Sequence, residues 1–315
     1  SDGTVESNEA AVELEVFFGW QNPFHPVDIN GDGYASPLDA LLSFNDVAGL
    51  PGLVRTLPDP PVPPDVAPPF LDFNGDGLSS DFDGKKVLAD LNANGSRDLD
   101  SELKLPQPVP PLGDDLLVQL RLETVNSQGQ VVTTVNQGET FFLNVYAVDL
   151  RPSGAGVFSA YLDVAYDQAA LAAAGAIQFG ASFPNVRAGS TATAGLLDEA
   201  GAVRTATTDG VSEPLLLRAA LTATAAGDVT IAADPADVLP AGQVTLYGID
   251  GPIPPDNIEY GSVQVTVVRV DSDGDGVTDF EEDGAPHGGD GNQDGTADRL
   301  QNNVASLRSS PTEPY

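Results

Sequence analysis

Oxygen-bearing side chains recur in this chain at the spacing that wraps one hard cation. Ca2+ takes six to eight oxygens at once, and a twelve-residue loop supplies them from positions 1, 3, 5, 7 (a backbone carbonyl), 9 and 12, with Gly at position 6 for the sharp turn. Four segments fill that pattern. The first offers Asp28, Asn30, Asp32, Tyr34, Ser36 and Asp39, and the second Asp72, Asn74, Asp76, Leu78, Ser80 and Asp83. The third runs Asp271, Asp273, Asp275, Val277, Asp279 and Glu282, whose last residue can bind bidentately. The fourth runs Asp290, Asn292, Asp294, Thr296, Asp298 and Gln301, with a weaker final ligand. An isolated Asp/Gly loop is usually a turn. Full-length matches repeated through one chain make Ca2+ the expected cofactor. A further segment, from Asp90 through Asn92 and Asn94 to Asp98, has fewer carboxylates and Ser101 at its last position, and whether it binds calcium stays open.

Composition bounds what such loops serve. The 315 residues suffice for two or three small domains, each with a core. A formal net charge of −34 at pH 7 repels nucleic acid and anionic membranes and attracts cations. The acid is bunched near residues 28–39, 72–102 and 271–298 among Gly and Asn, unlike the even acidity of a disordered chain. Without Cys, disulfides, thiolate zinc sites and thiol catalysis are excluded. No apolar run approaches the roughly 20 residues of a membrane span, so no membrane insertion is expected. The sequence reads as a mature secreted chain beginning at Ser1 after loss of a targeting peptide. His25 and His287 are the only histidines and sit beside Pro and Gly as turn residues. A Ser/His/Asp triad therefore has no base in residues 114–270, and the obvious carboxylate pairs for glycoside hydrolysis are committed to the loops. No enzyme is expected.

The elements that must position the loops follow from periodicity. Leu38, Leu41 and Leu42 stand at helical spacing just after the first loop. Trp20 and Phe24 are expected to pack beneath that helix. A Pro-rich insert, Leu57–Phe70, separates the first two loops, and a second Pro-rich stretch over 105–113 reads as a stiff linker. Residues 114–270 are low in charge and alternate with period two. Val118, Leu120 and Leu122 form one run, and Phe141, Leu143 and Val145 another. Phe158, Ala160, Leu162, Val164 and Tyr166 form a third, and Val263, Val265 and Val267 the last, as in a β-sandwich. Tyr161, Asp163, Tyr166 and Asp167 are expected at strand-end packing and turn positions, with a partner-binding face as the alternative. Near the start, Val12, Leu14, Val16 and Phe18 alternate with Glu13 and Glu15 without a local hairpin partner. That strand either pairs inside its own chain or completes a neighbour's sheet.

A loop followed by a helix, with Asp at position 12 and repeated once, resembles the type I dockerin. The carrying stretch runs from Asn22 through Asp28, Asp32 and Ser36 to Leu42, and looks like the dockerin segments of bacterial, planctomycete-like surface proteins. The second repeat departs from the first: its helix begins Asp83-Gly-Lys-Lys, and the Pro-rich insert lengthens the gap between repeats. The resemblance implies recognition positions at Pro37, Leu38, Asp81 and Phe82. Residues 114–270 are similar to the cohesin family, through Val135–Val145 and Gly156–Asp167 with Leu171 just beyond. That likeness implies a jelly-roll sandwich whose flat face receives dockerin helices. Asp271–Gln301 resembles thrombospondin type 3-like calcium repeats, and Ala285–Asn292 with Asn303–Leu307 looks like the entry to a surface-anchoring region.

The expected fold class is multidomain and mainly β: a small α dockerin-like EF-loop module plus a jelly-roll β-sandwich, with C-terminal calcium loops. The expected boundaries are an N-terminal segment over 1–20, the dockerin-like module over 21–104 and the linker over 105–113. The sandwich follows over 114–270, the calcium repeats over 271–302 and a tail over 303–315. Reversal through Pro-rich segments disfavours folding of the helical module onto its own sandwich, so plug and socket are expected to engage successive copies. A head-to-tail contact that does not close generates a filament. The expected function is thus an extracellular, cell-surface structural protein that self-assembles. The alternative is an adhesion module whose dockerin docks onto a different cohesin-bearing protein. A third possibility is an adhesin whose sandwich holds carbohydrate.

Overall fold

The computed structural model describes residues 19–62, 65–99, 115–207, 210–237 and 244–307. The candidate donor strand over 12–18, the linker over 105–113 and the end of the tail lie outside them.

The N-terminal loops each deliver the chain into a helix. β1 (Tyr34–Ala35) leads to α1 (Pro37–Val47), then β2 (Val54–Thr56). β3 (Leu78–Ser80) leads to α2 (Asp81–Asn94), then β4 (Arg97–Asp98). α1 starts where Ser36 is still extended and Pro37 takes the first helical position, whose missing N–H costs nothing there. β1 pairs with β4 and β2 with β3, so each loop is braced by an accessory strand. α1 and α2 cross at Gly84, where a Cβ would come within 2.4 Å of the Phe44 ring. Trp20 is buried beneath them, its Nε1 donating to the Pro58 carbonyl at 2.7 Å. Phe24, expected there too, is exposed instead. α2 continues through Asp90, Asn92 and Asn94, so the additional segment begins as helix rather than as a loop. Asp90 and Asn94 meet on one face of the helix at 2.8 Å, while Asn92 turns to the sandwich at Val186; Asp90 is also engaged by Arg97 at 2.7 Å.

The sandwich begins with β5 (Val118–Val125), β6 (Thr134–Asn136), β7 (Thr140–Asp149) and β8 (Val157–Tyr166). It continues with β9 (Leu171–Ala173), β10 (Gln178–Phe179), β11 (Asn185–Ser190) and β12 (Leu196–Val203). β13 (Leu215–Ala223), β14 (Gly227–Pro235), β15 (Thr245–Leu246), β16 (Ile258–Tyr260) and β17 (Ser262–Val268) complete it. One sheet runs β10-β13-β7-β5-β16 with β9 beside β13, and the other runs β11-β12-β8-β14-β17-β6 with β15 beside β8. Pairings are antiparallel except β5 with β16 and β6 with β17. The period-two residues of β5 and β7 point between the sheets, where Val118, Leu120, Leu122, Phe141, Leu143 and Val145 are buried. The protein is multidomain and mainly β.

β8 departs from a one-sided strand: nearly all of it is buried. Ala160, Leu162, Val164 and Tyr166 join the core between the sheets, whereas Phe158 and Tyr161 join a second core with α1 and α2. Phe158 therefore does not share a face with the four residues it was grouped with, because the alternation slips near Ser159, where the pairing with β15 shifts register. The helix pair lies on the sandwich of its own chain, against the expectation from the Pro-rich segments. The outer face of β8 with Val186, Val203, Ala236 and Tyr247 is apolar, and covering it within one chain avoids the loss of translational freedom that a separate partner incurs.

After β17 come α3 (Asp279–Asp283) and a 3-10 turn, Asp298–Leu300. Phe280 anchors this segment over Gly138, which has room for no side chain: a Cβ would sit 2.5 Å from the ring. Among the described residues no helix is long and apolar enough to cross a membrane.

Candidate functional site

Each N-terminal loop is a ring of hydrogen bonds closed by its own helix. Asp28 Oδ1 accepts from the Gly31 and Asp32 N–H groups at 2.8 and 3.1 Å, and Oδ2 from Gly33 at 3.1 Å. Asp39 closes the ring. Its Oδ1 accepts from Ile29 and Asn30 N–H at 2.8 and 3.2 Å, and its Oδ2 from Ser36 N–H and Oγ at 2.8 and 3.0 Å. Tyr34 N–H donates to Asp32 Oδ1 at 2.9 Å. The second loop repeats this through Asp72, with Gly75, Asp76 and Gly77 as donors, and through Asp83, which receives Phe73, Ser80 N–H and Ser80 Oγ. Asp28, Asn30 and Asp39 are almost wholly buried. Burial, aided by Asp32, raises the Asp28 carboxyl despite the Gly33 N–H. Burial followed by Asp32 and Asp28 raises Asp39 well above the usual carboxylate range, and burial raises Asp83. Among the described residues no Lys or Arg forms an ion pair with these six aspartates. Buried carboxylates without a counter-ion are unfavourable, and that deficit fits a divalent cation.

The C-terminal loops build the ring with a different closure. Asp271 accepts from Gly274 and Gly276 at 2.7 and 3.0 Å, and Asp275 from Val277 at 2.8 Å. The bond back to the loop start comes from the ninth position: Asp279 receives Ser272 N–H and Oγ at 2.7 and 2.6 Å. In the last loop Asp290 accepts from Asp294 and Gly295 at 3.0 Å each. Asp298 Oδ2 receives Gly291 N–H at 2.7 Å and the Ser306 hydroxyl. Glu282 is thereby released from loop closure. It is 1 % exposed, and neither of its oxygens makes a well-formed hydrogen bond, with only the Ser306 backbone N–H directed toward them. Asp273 Oδ2, Asp275 Oδ2 and Asp298 Oδ1 are likewise buried and unpartnered. Ligand oxygens of Asp271, Asp273 and Asp275 lie within 4.8 Å of one another. Burial, then Asp275 and Asp273, pushes Glu282 up to about 7, with the Ser306 backbone N–H offsetting only part. Gln301 turns its Nε2 to Asp294 Oδ1 and the Thr296 carbonyl at 3.1 and 3.0 Å, so a donor faces two oxygens of that ring.

The contact between helices and sheet is built from one aromatic cluster and two asparagines. Phe44 meets Phe158 edge-on at 6.2 Å between centroids, and Phe158 meets Tyr247 at 5.2 Å. On α1, Asn45 Nδ2 donates to Asp250 Oδ1 at 2.7 Å while its Oδ1 accepts from Gly248 N–H at 3.1 Å. On α2, Asn92 Nδ2 donates to Asn185 Oδ1 at 3.2 Å while its Oδ1 accepts from Val186 N–H at 2.8 Å. Each helix thus presents one amide that both gives and takes. Tyr161, expected at a strand end, lies in this interface and donates to the Val186 carbonyl at 2.6 Å. The positions implied by the dockerin resemblance fare unevenly. Pro37 and Leu38 are buried within the module, and Asp81 borders clefts of about 370 and 450 Å³ between helices and sheet. Phe82 remains 45 % exposed, with Lys86 over its ring at 4.8 Å.

The sequence gives no sign of one further acidic group. Asp163 on β8 lies beside Asp198 and Glu199 on β12, with ligand oxygens within 4.8 Å. Strand pairing brings together residues far apart in the chain, and Glu199 N–H donates to Asp163 Oδ1 at 2.7 Å.

No protein-family model matches this chain, and no curated protein does. Solved structures resemble it over about half its length. A cohesin module from a Clostridium perfringens family 33 glycoside hydrolase is 15 % identical, with a TM-score of 0.34, over 47 % of this chain and 97 % of that one. A cohesin from a type I cohesin–dockerin complex of Clostridium thermocellum is 10 % identical, with a TM-score of 0.34, over 50 % and 99 %. The third cohesin of an Acetivibrio cellulolyticus scaffoldin, solved with a dockerin, is 12 % identical with a TM-score of 0.33, over 48 % and 99 %.

Proposed function

We propose that this chain is a calcium-stabilised, extracellular structural protein without enzymatic activity, in which a dockerin-like helix pair seats on a cohesin-like sheet face. Copies link head to tail when the same seat is taken by a neighbour's helix pair. The observation that carries this reading is the docking of α1 and α2 on β8 through Phe44, Phe158 and the paired amides of Asn45 and Asn92. A contact that pairs polar groups at its rim while covering aromatic surface is specific, and nothing in it requires both halves to come from one chain. The fifteen residues over 100–114 between the two parts span at most ~50 Å when extended, enough to serve either arrangement. Calcium at the four loops supports the reading because α1 and α2 each begin at a loop whose last carboxylate anchors the first helical turn. A second reading, an adhesion module that docks onto another cohesin-bearing protein, draws on Phe82, which is left exposed on α2.

Sedimentation and negative-stain microscopy of full-length protein in millimolar calcium test the proposal. Concentration-dependent linear polymers are expected. Phe158→Ala should cost the contact about 3–5 kcal/mol and shorten them. Dispersed monomers at every concentration would sink the head-to-tail reading.

A further inference from the structure

We propose that the sheet face turned away from the helices is a binding platform for a neutral, extended saccharide, held by a polar row that crosses four strands. This goes beyond the assembly reading and does not depend on it.

β5, β7, β13 and β10 are neighbours in that sheet. Their register sets Glu123 opposite Asn144, Asn144 opposite Arg218, and Arg218 opposite Gln178. The four side chains therefore share the outer face, one for each strand spacing of about 4.8 Å. An extended chain of pyranose rings repeats on a similar length. Within the row Asn144 is 7 % exposed, whereas its outward neighbours on β7, Phe142 and Tyr146, are only half-buried. Its Nδ2 donates to the Tyr146 hydroxyl at 3.2 Å, and that hydroxyl donates on to Glu123 Oε2 at 3.3 Å. This relay fixes the amide with Oδ1 on the side away from Tyr146, and that oxygen is buried without a hydrogen-bond partner. Across from it, Arg218 lies over the Phe142 ring, 3.8 Å from the centroid. Its Nε is likewise buried and unpartnered, and it forms no ion pair among the described residues.

Buried polar atoms are almost always paired, and an open acceptor facing an open donor narrows the choice of ligand. A carboxylate or phosphate would answer Arg218 but meet the Asn144 oxygen, and a cation would do the reverse. A hydroxyl donates to one and accepts from the other through a single oxygen. Charge agrees with a neutral ligand. The row carries one anion and one cation, Glu123 and Arg218, in a chain of net charge −34. The guanidinium is also set in place by its ring before any ligand arrives, which lowers the cost of ordering it.

The test adds β-1,4-linked hexasaccharides of glucose, xylose and mannose in turn to calcium-loaded full-length protein. Amide and side-chain resonances at Asn144 Nδ2, Arg218 Nε and Trp20 Nε1 are followed. At least one sugar is expected to move Asn144 and Arg218 together and leave Trp20, which lies beneath the helices, in place. Asn144→Ala should weaken that binding by on the order of tenfold, the scale of one lost hydrogen bond. If Asn144→Ala loosens the sheet, Arg218→Lys decides: it keeps the charge but loses the Nε donor and the planar fork. It too should weaken binding, and unchanged affinity refutes the platform. No shift from any of the three sugars overturns the proposal, as does movement of Trp20 alone. A response of Arg218 to hexaglutamate but to no sugar overturns it in favour of an acidic peptide. Each of these failures leaves the calcium and assembly readings standing.

Discussion

The two loop pairs of this chain share a motif and differ in what closes it. In the N-terminal pair the twelfth-position aspartates, Asp39 and Asp83, reach back to the loop start and also receive the serine that precedes the helix. Loop closure and helix initiation are therefore one event, and the loops lie against the core that Trp20, Ile29 and Phe44 share with Phe158 and Tyr247. In the C-terminal pair the ninth-position aspartates, Asp279 and Asp298, do the closing. Glu282 is left buried, with no bond back to the start of its loop. The same spacing is closed in two ways: by the twelfth residue, which also anchors a helix, in one pair, and by the ninth residue in the other.

The largest expected effect breaks that contrast if it is wrong. Asp28→Ala should destabilise the helix pair by at least the ion's contribution, about 2.7 kcal/mol at a free concentration a hundredfold above Kd. Because the second core joins helices to sheet, the loss should expose the face of β8 as well as the module, contrary to the separate cores expected from the sequence. Trp20 is the only tryptophan and is buried, so its emission reports this step alone. It should shift to the red in Asp28→Ala or in EGTA and stay in place in Asp271→Ala. Equal shifts in both variants would show that the C-terminal loops also hold the architecture.

A smaller effect concerns pH. Asp28, Asp39 and Asp83 are raised by burial in the calcium-free ring, and Glu282 is pushed up to about 7. A carboxyl whose folded value exceeds its unfolded value takes up a proton on folding, so stability falls as pH rises between the two values. In EGTA the melting temperature should therefore decline from about pH 4 toward pH 7, the range set by the unfolded carboxyl values and Glu282. With calcium bound the sign reverses, because the ion favours the ionised form and protons compete with it. Thermal melts across this range, with and without calcium, check both slopes. A calcium-free protein that gains stability as pH rises would remove the claim of repelling buried carboxylates.

Much of this molecule was legible in residue types. The rings at Asp28, Asp72, Asp271 and Asp290 follow from local spacing, which fixes where a side chain meets its own backbone. The inner faces of β5 and β7 follow from period two, because their outward residues are mostly only half-buried. β8 was harder to read: with both faces covered, alternation no longer separates them, and the slip near Ser159 moves Phe158 to the helix side. The interface residues Asn45 and Asn92 carried no signal, since amides on a helix are ordinary until something faces them, and Tyr161 was legible only as the lesser alternative of a binding face. Exposed Phe82 illustrates the converse. A position implied by resemblance need not be the one the contact uses, and here Phe44 supplies the aromatic.

The smallest expected effect sharpens the contrast at the twelfth position. Gln301 now turns an amide donor toward Asp294 Oδ1 and the Thr296 carbonyl, where a cation needs oxygens only. Gln301→Glu replaces that donor with a second carboxylate oxygen, as Glu282 already provides in the loop before it. Calcium affinity of the last loop should rise by on the order of tenfold, read as a lower calcium midpoint of the Gly295 amide resonance. The matching change in the N-terminal pair, Asp39→Glu, should do the opposite. Asp39 is 0 % exposed and both its oxygens are engaged by four donors, so an added methylene has no space and pulls the closure apart. One pair of loops then gains from a longer acid while the other loses, because position 12 is a free ligand in one and a structural tie in the other. Gains in both, or losses in both, would mean that closure by the ninth position does not set the two pairs apart.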